Sequence, residues 1–254
     1  MKDFLKKHWG KDKYDGIAIL KRNFWDINFF KTIYFNFKAF EFKDAILLPV
    51  LVGHRVKIYH IGNVSLTCKA YTGMVSIGVL GFHVMEDGTT KLRNDGHLYL
   101  GAKIKIHQGA KLSISESGNL TLEGRNTIGS STRIVCRKSI LIGYNSGCSW
   151  DCQIFDTDFH YLYDCVAERP LKRLGKIQIG NNVFIGNHCN IGKGSKIPNG
   201  CVISSWSNVS GNFTKKGENL LISNPRATVI GENYTMTHAW DSDKEKAYRI
   251  MLNE

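Results

Sequence analysis

Proline is scarce in this chain, 4 residues in 254 against 25 glycines. Its turns must therefore come from residues that reach the left-handed backbone region and not from proline's fixed φ. Long apolar runs are also missing. The best, Ala45 to Gly53, is far short of the ~20 residues that span a bilayer, and no apolar stretch near the N-terminus reads as a signal peptide. Seven cysteines occur without any CxxC spacing, so they read as reduced, mostly buried thiols. No zinc site is expected, and the expected compartment is the cytosol. Acidic side chains are in deficit, 22 against 34 Lys plus Arg, for a net charge of +12. That surplus invites a nucleic acid or an anionic membrane. It nowhere forms a dense Lys/Arg run, so no nucleic-acid partner is expected. Residues 1–60 hold 12 basic and 6 acidic side chains, residues 91–140 hold 9 and 3, and residues 177–231 hold 5 and 1. A hydrophobic content of 43% permits a packed core and excludes wholesale disorder.

What is present is a clock of six. Residues 179, 185, 191, 197 and 203 are isoleucine and 209 is valine; glycine follows at 180, 186 and 192. A period of six fits neither a helix nor a lone strand. It fits a coil of short strands, each turning one branched aliphatic inward, with Gly and Asn supplying left-handed turns. Three hexads close a triangular coil of 18 residues, and stacked coils make an all-β solenoid. The clock also runs through Leu100, Ile106 and Leu112, then Leu122, Ile128, Ile134 and Ile140. It restarts after a two-residue slip at Ile142, Cys148 and Ile154. Between Ile154 and Ile179 it stops, which predicts a loop over 155–178 that leaves the coil; long loops on a rigid scaffold carry function. The divisions expected are a helical and extended cap over 1–60, the solenoid over 61–231 and a C-terminal helix within 232–254. Helical spacing appears in 2–9 and 20–43, where it covers the open end of the stack. Ser242 and Glu245 form a capping box for a helix to 252.

The stretches YFNFKAFEFKDAILLPVLV (34–52), SWDCQIFDTDFH (149–160), the coils 179–209 and NPRATVI (224–230) resemble the hexapeptide-repeat acyltransferases. Among these the chain looks like the bacterial O-acetyltransferases of capsule and lipopolysaccharide biosynthesis. The resemblance implies a left-handed parallel β-helix and a homotrimer with sites between subunits. It further implies acetyl-CoA as acyl donor, a sugar or glycan acceptor and a loop histidine as general base. That histidine is His160, which closes the DTDFH motif.

Moving an acetyl group from a thioester to a hydroxyl requires one neutral imidazole to take the proton, typically worth roughly 10² to 10⁴ in rate. Asp158 or Asp156 would accept from its second ring nitrogen. Backbone N–H groups near Ser204-Ser205 or Gly192-Lys193-Gly194 would hold the oxyanion. Trp150 and Asp151 are candidates for the acceptor pocket, and Trp206 is bulky where the family commonly has a small residue. Candidates for CoA are Lys193, Ser204, Ser205, Lys215, Asn224, Pro225 and Arg226. His188 is expected to project from a turn corner. The rival readings are a non-catalytic glycan-binding or scaffold solenoid, a longer acyl group and an amine acceptor. A γ-type carbonic anhydrase needs two histidines five positions apart, and the chain has no such pair. The aromatic, basic N-terminal segment suits weak contact with a membrane surface, at the inner face for a cytosolic protein.

Overall fold

The computed structural model describes residue 18 and residues 20–79, 88–223, 234–236 and 242–252. Every hexad aliphatic from Ile179 to Val209 is buried, and the residue before it points outward. Such two- and three-residue strands are stable only as a stack, because each buries its one aliphatic against the coils above and below. Val52, Ile77, Ile106, Ile128, Cys148, Ile185, Ile203 and Ile222 pair in succession through a sheet of eight parallel strands. A second column runs Leu92, Leu112, Ile134, Ile154, Ile191 and Val209. The third runs Leu100, Leu122, Ile142, Ile179 and Ile197. These three faces enclose one hydrophobic core and make a left-handed parallel β-helix.

The slip at 140–142 has a simple cause. The strand Ser139–Ile142 is long enough to bury both Ile140 and Ile142, so the coil from Ile128 to Cys148 takes 20 residues where that from Ile185 to Ile203 takes 18. Left-handed residues recur every six, at Asn182, His188, Gly194, Gly200 and Trp206, with φ between 56° and 78°. The glycines that follow the isoleucines do a different job from the one expected. A Cβ on Gly186 would lie 2.6 Å from the Ser205 nitrogen and one on Gly180 2.8 Å from the Asn199 nitrogen, so these two glycines permit close approach of coils.

The stack begins at the strand Val50–Val52, whose outer edge is closed by helix α1 (Phe29–Ala39). The Asn36 side chain donates to Val50 O at 2.7 Å and accepts from Val50 N at 3.0 Å. Thr32 Oγ1 accepts from Val52 N at 3.0 Å, and Asn28 N donates to Val52 O at 2.8 Å. Every outward polar group of Val50 and Val52 thus has a partner, which removes a sticky edge. Helix α2 (Phe42–Ala45) follows, and helix α3 (Ser242–Leu252) lies at the other end of the sequence. The helix expected over 2–9 lies outside the described residues. The loop holds more order than its sequence suggests: Leu162–Asp164 pairs antiparallel with Arg169–Pro170 and with Tyr234–Met236. Among the described residues no helix is long and apolar enough to cross a membrane.

Candidate functional site

The loop leaves the coil after the strand Gln153–Phe155 and rejoins it at Ile177–Ile179. Asp156, fully buried at its root, accepts from the backbone N–H groups of Arg137, Lys138 and Ser139 at 2.7, 2.8 and 2.8 Å. Burial pushes its carboxyl above the ordinary value, against the pull of those three donors. Beside it, burial and then the Asp156 charge push the Cys136 thiol up to about 12. Asp156 is therefore spent on holding the preceding corner and does not orient His160.

Asp158 also has another partner. Its carboxylate lies 2.5 Å from Lys193 Nζ, which in turn donates to the Lys172 carbonyl. Lys193, a candidate for CoA, fastens both arms of the loop to the late coil. Further ties are Asp158 N to Arg173 O at 3.0 Å and Gly175 N to Asp156 O at 2.9 Å. His160 sits in a tight turn after Phe159, whose φ is 64°. Its ring is half-buried, and its Nδ1 is buried without a hydrogen-bond partner among the described residues. Neither aspartate bonds that nitrogen.

A second cluster forms on a corner of the prism. Asp151, His188 and Trp206 all have left-handed backbones and stack coil upon coil: Asp151 N donates to Ser130 O, His188 N to Trp150 O and Trp206 N to Asn187 O. The rings of His188 and Trp206 stack at 4.2 Å with 17° between planes. Their spacing of 18 is one coil, a signal present in the sequence that reading His188 and Trp206 separately misses. This corner borders the face carrying Gln153–Phe155 and Asn190–Ile191, and the His160 loop leaves from that face's opposite edge.

The expected oxyanion donors are partly committed elsewhere. The N–H groups of Gly192, Gly194 and Ser204 donate to Val209, Gly175 and Ile222 carbonyls. Ser205 Oγ donates to Asn187 Oδ1. Lys215 is exposed on the short turn Thr214–Lys216, whereas Asn224, Pro225 and Arg226 lie outside the described residues. No cluster of metal-ligating side chains occurs among the described residues.

Between the loop, the coil and α3 runs a groove of about 980 Å³. Arg93, Arg137, Arg173 and Arg249 line it together with Ser113 and Phe159, the neighbour of His160. The sequence shows these arginines only as scattered charge; the coil, the loop and α3 bring them together.

No family model matches the chain, nor does any curated protein. Among solved structures, the polysialic acid O-acetyltransferase OatWY is similar at 20% identity over 78% of this chain and 92% of its own, with a TM-score of 0.42. The polySia specific acetyltransferase NeuO is similar at 16% identity over 78% and 97%, with a TM-score of 0.43. A mutant of AntD, an N-acyltransferase from Bacillus cereus, in complex with dTDP and coenzyme A, is similar at 16% over 80% and 88%, with a TM-score of 0.41. Identities and scores are low throughout, and the β-helix stands on its own coils and strand registers.

Proposed function

We propose that this protein is an acyl-CoA-dependent O-acyltransferase that moves acetyl from acetyl-CoA to a hydroxyl of a sugar or polysaccharide precursor, with His160 as general base. The observation that carries the reading is the placement of His160. It is the one histidine on the segment that departs from the repeat, and it directly follows Phe159, which has a left-handed backbone and lines a polar groove. The acceptor oxygen attacks the thioester carbonyl as its proton passes to the imidazole. The C–O bond forms, the C–S bond breaks, and the proton goes on to the leaving thiolate. In a homotrimer with sites between subunits, the acyl donor would run along the coil, and Lys215 would meet its phosphates. The Trp206–His188 stack offers a flat apolar surface at the far edge of the same face.

Replacing His160 by Ala tests this. Release of free thiol from acetyl-CoA with a sugar acceptor should fall by roughly 10² to 10⁴, with the thermal midpoint and CoA binding retained. Near-normal turnover overturns the mechanism. Neither thiol release nor CoA binding in the unaltered protein would favour the scaffold reading.

The same proposal extends to a weak association with a membrane surface. It is supported by the outward faces of the N-terminal cap, where Trp25, Phe30 and Phe42 are 86%, 88% and 72% exposed. Deleting residues 1–43 should abolish co-sedimentation with anionic vesicles; unchanged sedimentation disposes of the idea.

A further inference from the structure

We infer that the groove beside His160 takes an acidic glycan, whose carboxylate or phosphate groups are held by Arg93, Arg137, Arg173 and Arg249. The inference rests on the acyltransferase reading and names the class of its acceptor. Among the described residues, four arginines line the groove against two carboxylates, Asp95 and Glu116. Asp95 is already committed: Arg93 Nε lies 2.6 Å from one of its oxygens and His60 Nδ1 3.0 Å from the other. That pairing uses Nε and leaves the terminal nitrogens of Arg93 to face an anion, the planar fork that suits carboxylate and phosphate. The Arg173 guanidinium lies 4.8 Å over the ring of buried Tyr161, which packs edge-on against Tyr248, and Tyr248 precedes Arg249 on α3. One side of the cationic groove is thus built by aromatic packing.

A second observation points the same way. On the coil face that forms the groove's floor, Lys91, Lys111 and Arg133 are strand partners in register, and all three are exposed. Adjacent strands lie about 4.8 Å apart, and like charges directly opposite destabilise a sheet. A ladder of three cations running into a four-arginine groove is a surface arranged for a polyanion. The other lining groups choose the kind of polyanion. Among the described residues they include serine hydroxyls and one aromatic ring, Phe159, which suit a polyhydroxylated chain, whereas single-stranded nucleic acid calls for a series of stacking rings.

Calorimetry on the full-length protein tests the assignment, with hexagalacturonate as the carboxylate probe and a phosphodiester-linked oligosaccharide of equal length as the phosphate probe. Maltohexaose serves as the neutral probe and an oligothymidylate of equal charge as the nucleic-acid probe. One or both acidic glycans should bind at least tenfold more tightly than maltohexaose and oligothymidylate, and the tighter of the two names the anion. Affinity should fall as salt rises. Arg93→Gln and Arg137→Gln, at exposed positions, should each weaken binding by roughly tenfold, while Lys21→Gln should not. His160→Ala should bind like the unaltered protein, which separates failure of the groove from failure of the catalytic reading. Equal binding of maltohexaose or oligothymidylate, or indifference to both arginine substitutions, overturns the inference.

Discussion

Trp206 and His188 occupy the same left-handed backbone conformation that the neighbouring turns give to Gly194 and Gly200, so each pays a conformational penalty for its ring. Trp206→Gly relieves that penalty. The thermal midpoint should hold or rise, because Trp206 is 66% exposed and buries little, while acyl transfer should fall with loss of the stack. Loss of fold instead of activity would show the ring to be structural. At His107 the penalty is electrostatic. Burial, and then the Lys105 charge, lower its affinity for a proton below the ordinary 6.5. Above that pH both folded and unfolded forms are neutral. As pH falls through 6.5 the unfolded chain takes up a proton that the folded chain refuses, so stability is lost on acidification. His107→Gln should flatten the decline in thermal midpoint between pH 7 and pH 5; an unaltered slope assigns it elsewhere. Thiol chemistry should be equally selective. Cys68 and Cys165 are exposed and the other five thiols buried, so two should react with an aromatic disulfide reagent in the native protein and seven after denaturation.

Helix α1 matters as an edge cover more than as a helix. Its Asn36 satisfies both outward groups of Val50, so Asn36→Leu would leave a buried N–H and a buried C=O unpaired, at about 1–3 kcal/mol each. The midpoint should drop markedly and self-association increase, as read by denaturation and light scattering; a neutral effect would mean that the edge is not exposed by the change. The period of six made the coils and this need for a cover legible, because Ile179 to Val209 keep strict register and each aliphatic has one place to go. Asn36 and Thr32 were not legible as edge partners, since their acceptors and donors lie 14 and 20 residues away and depend on how the helix is laid down. The loop failed for the same reason. The motif that marks His160 is contiguous, but the uses of Asp156 and Lys193 are fixed by the coil corners at 137–139 and by Lys172, which sequence spacing does not reveal.

Across the whole molecule, the surplus of 12 positive charges divides by place in the fold. The excess in 91–140, with no evident role in the linear chain, supplies the cation ladder and two of the four groove arginines. One of the late-coil cations, Lys193, works across the molecule, tying the arms of the loop to a coil that begins after the loop has ended. Its bond to Asp158 is partly exposed, so its contribution to global stability is small, on the order of 0.2–1 kcal/mol. Its contribution to loop placement is larger, because one side chain holds both Asp158 and the Lys172 carbonyl, beside the backbone bond from Gly194 N to Gly175 O. Lys193→Met should therefore leave the thermal midpoint within a few degrees and make the chain at Lys172 and Arg173 open to trypsin. It should also lower kcat, as His160 loses its fixed position, with KM for acetyl-CoA unchanged. A Lys193 that instead grips the phosphates of CoA predicts the opposite split, a raised KM for the donor with kcat intact and no new cleavage, so steady-state kinetics and a proteolysis time course on one variant decide between the two roles.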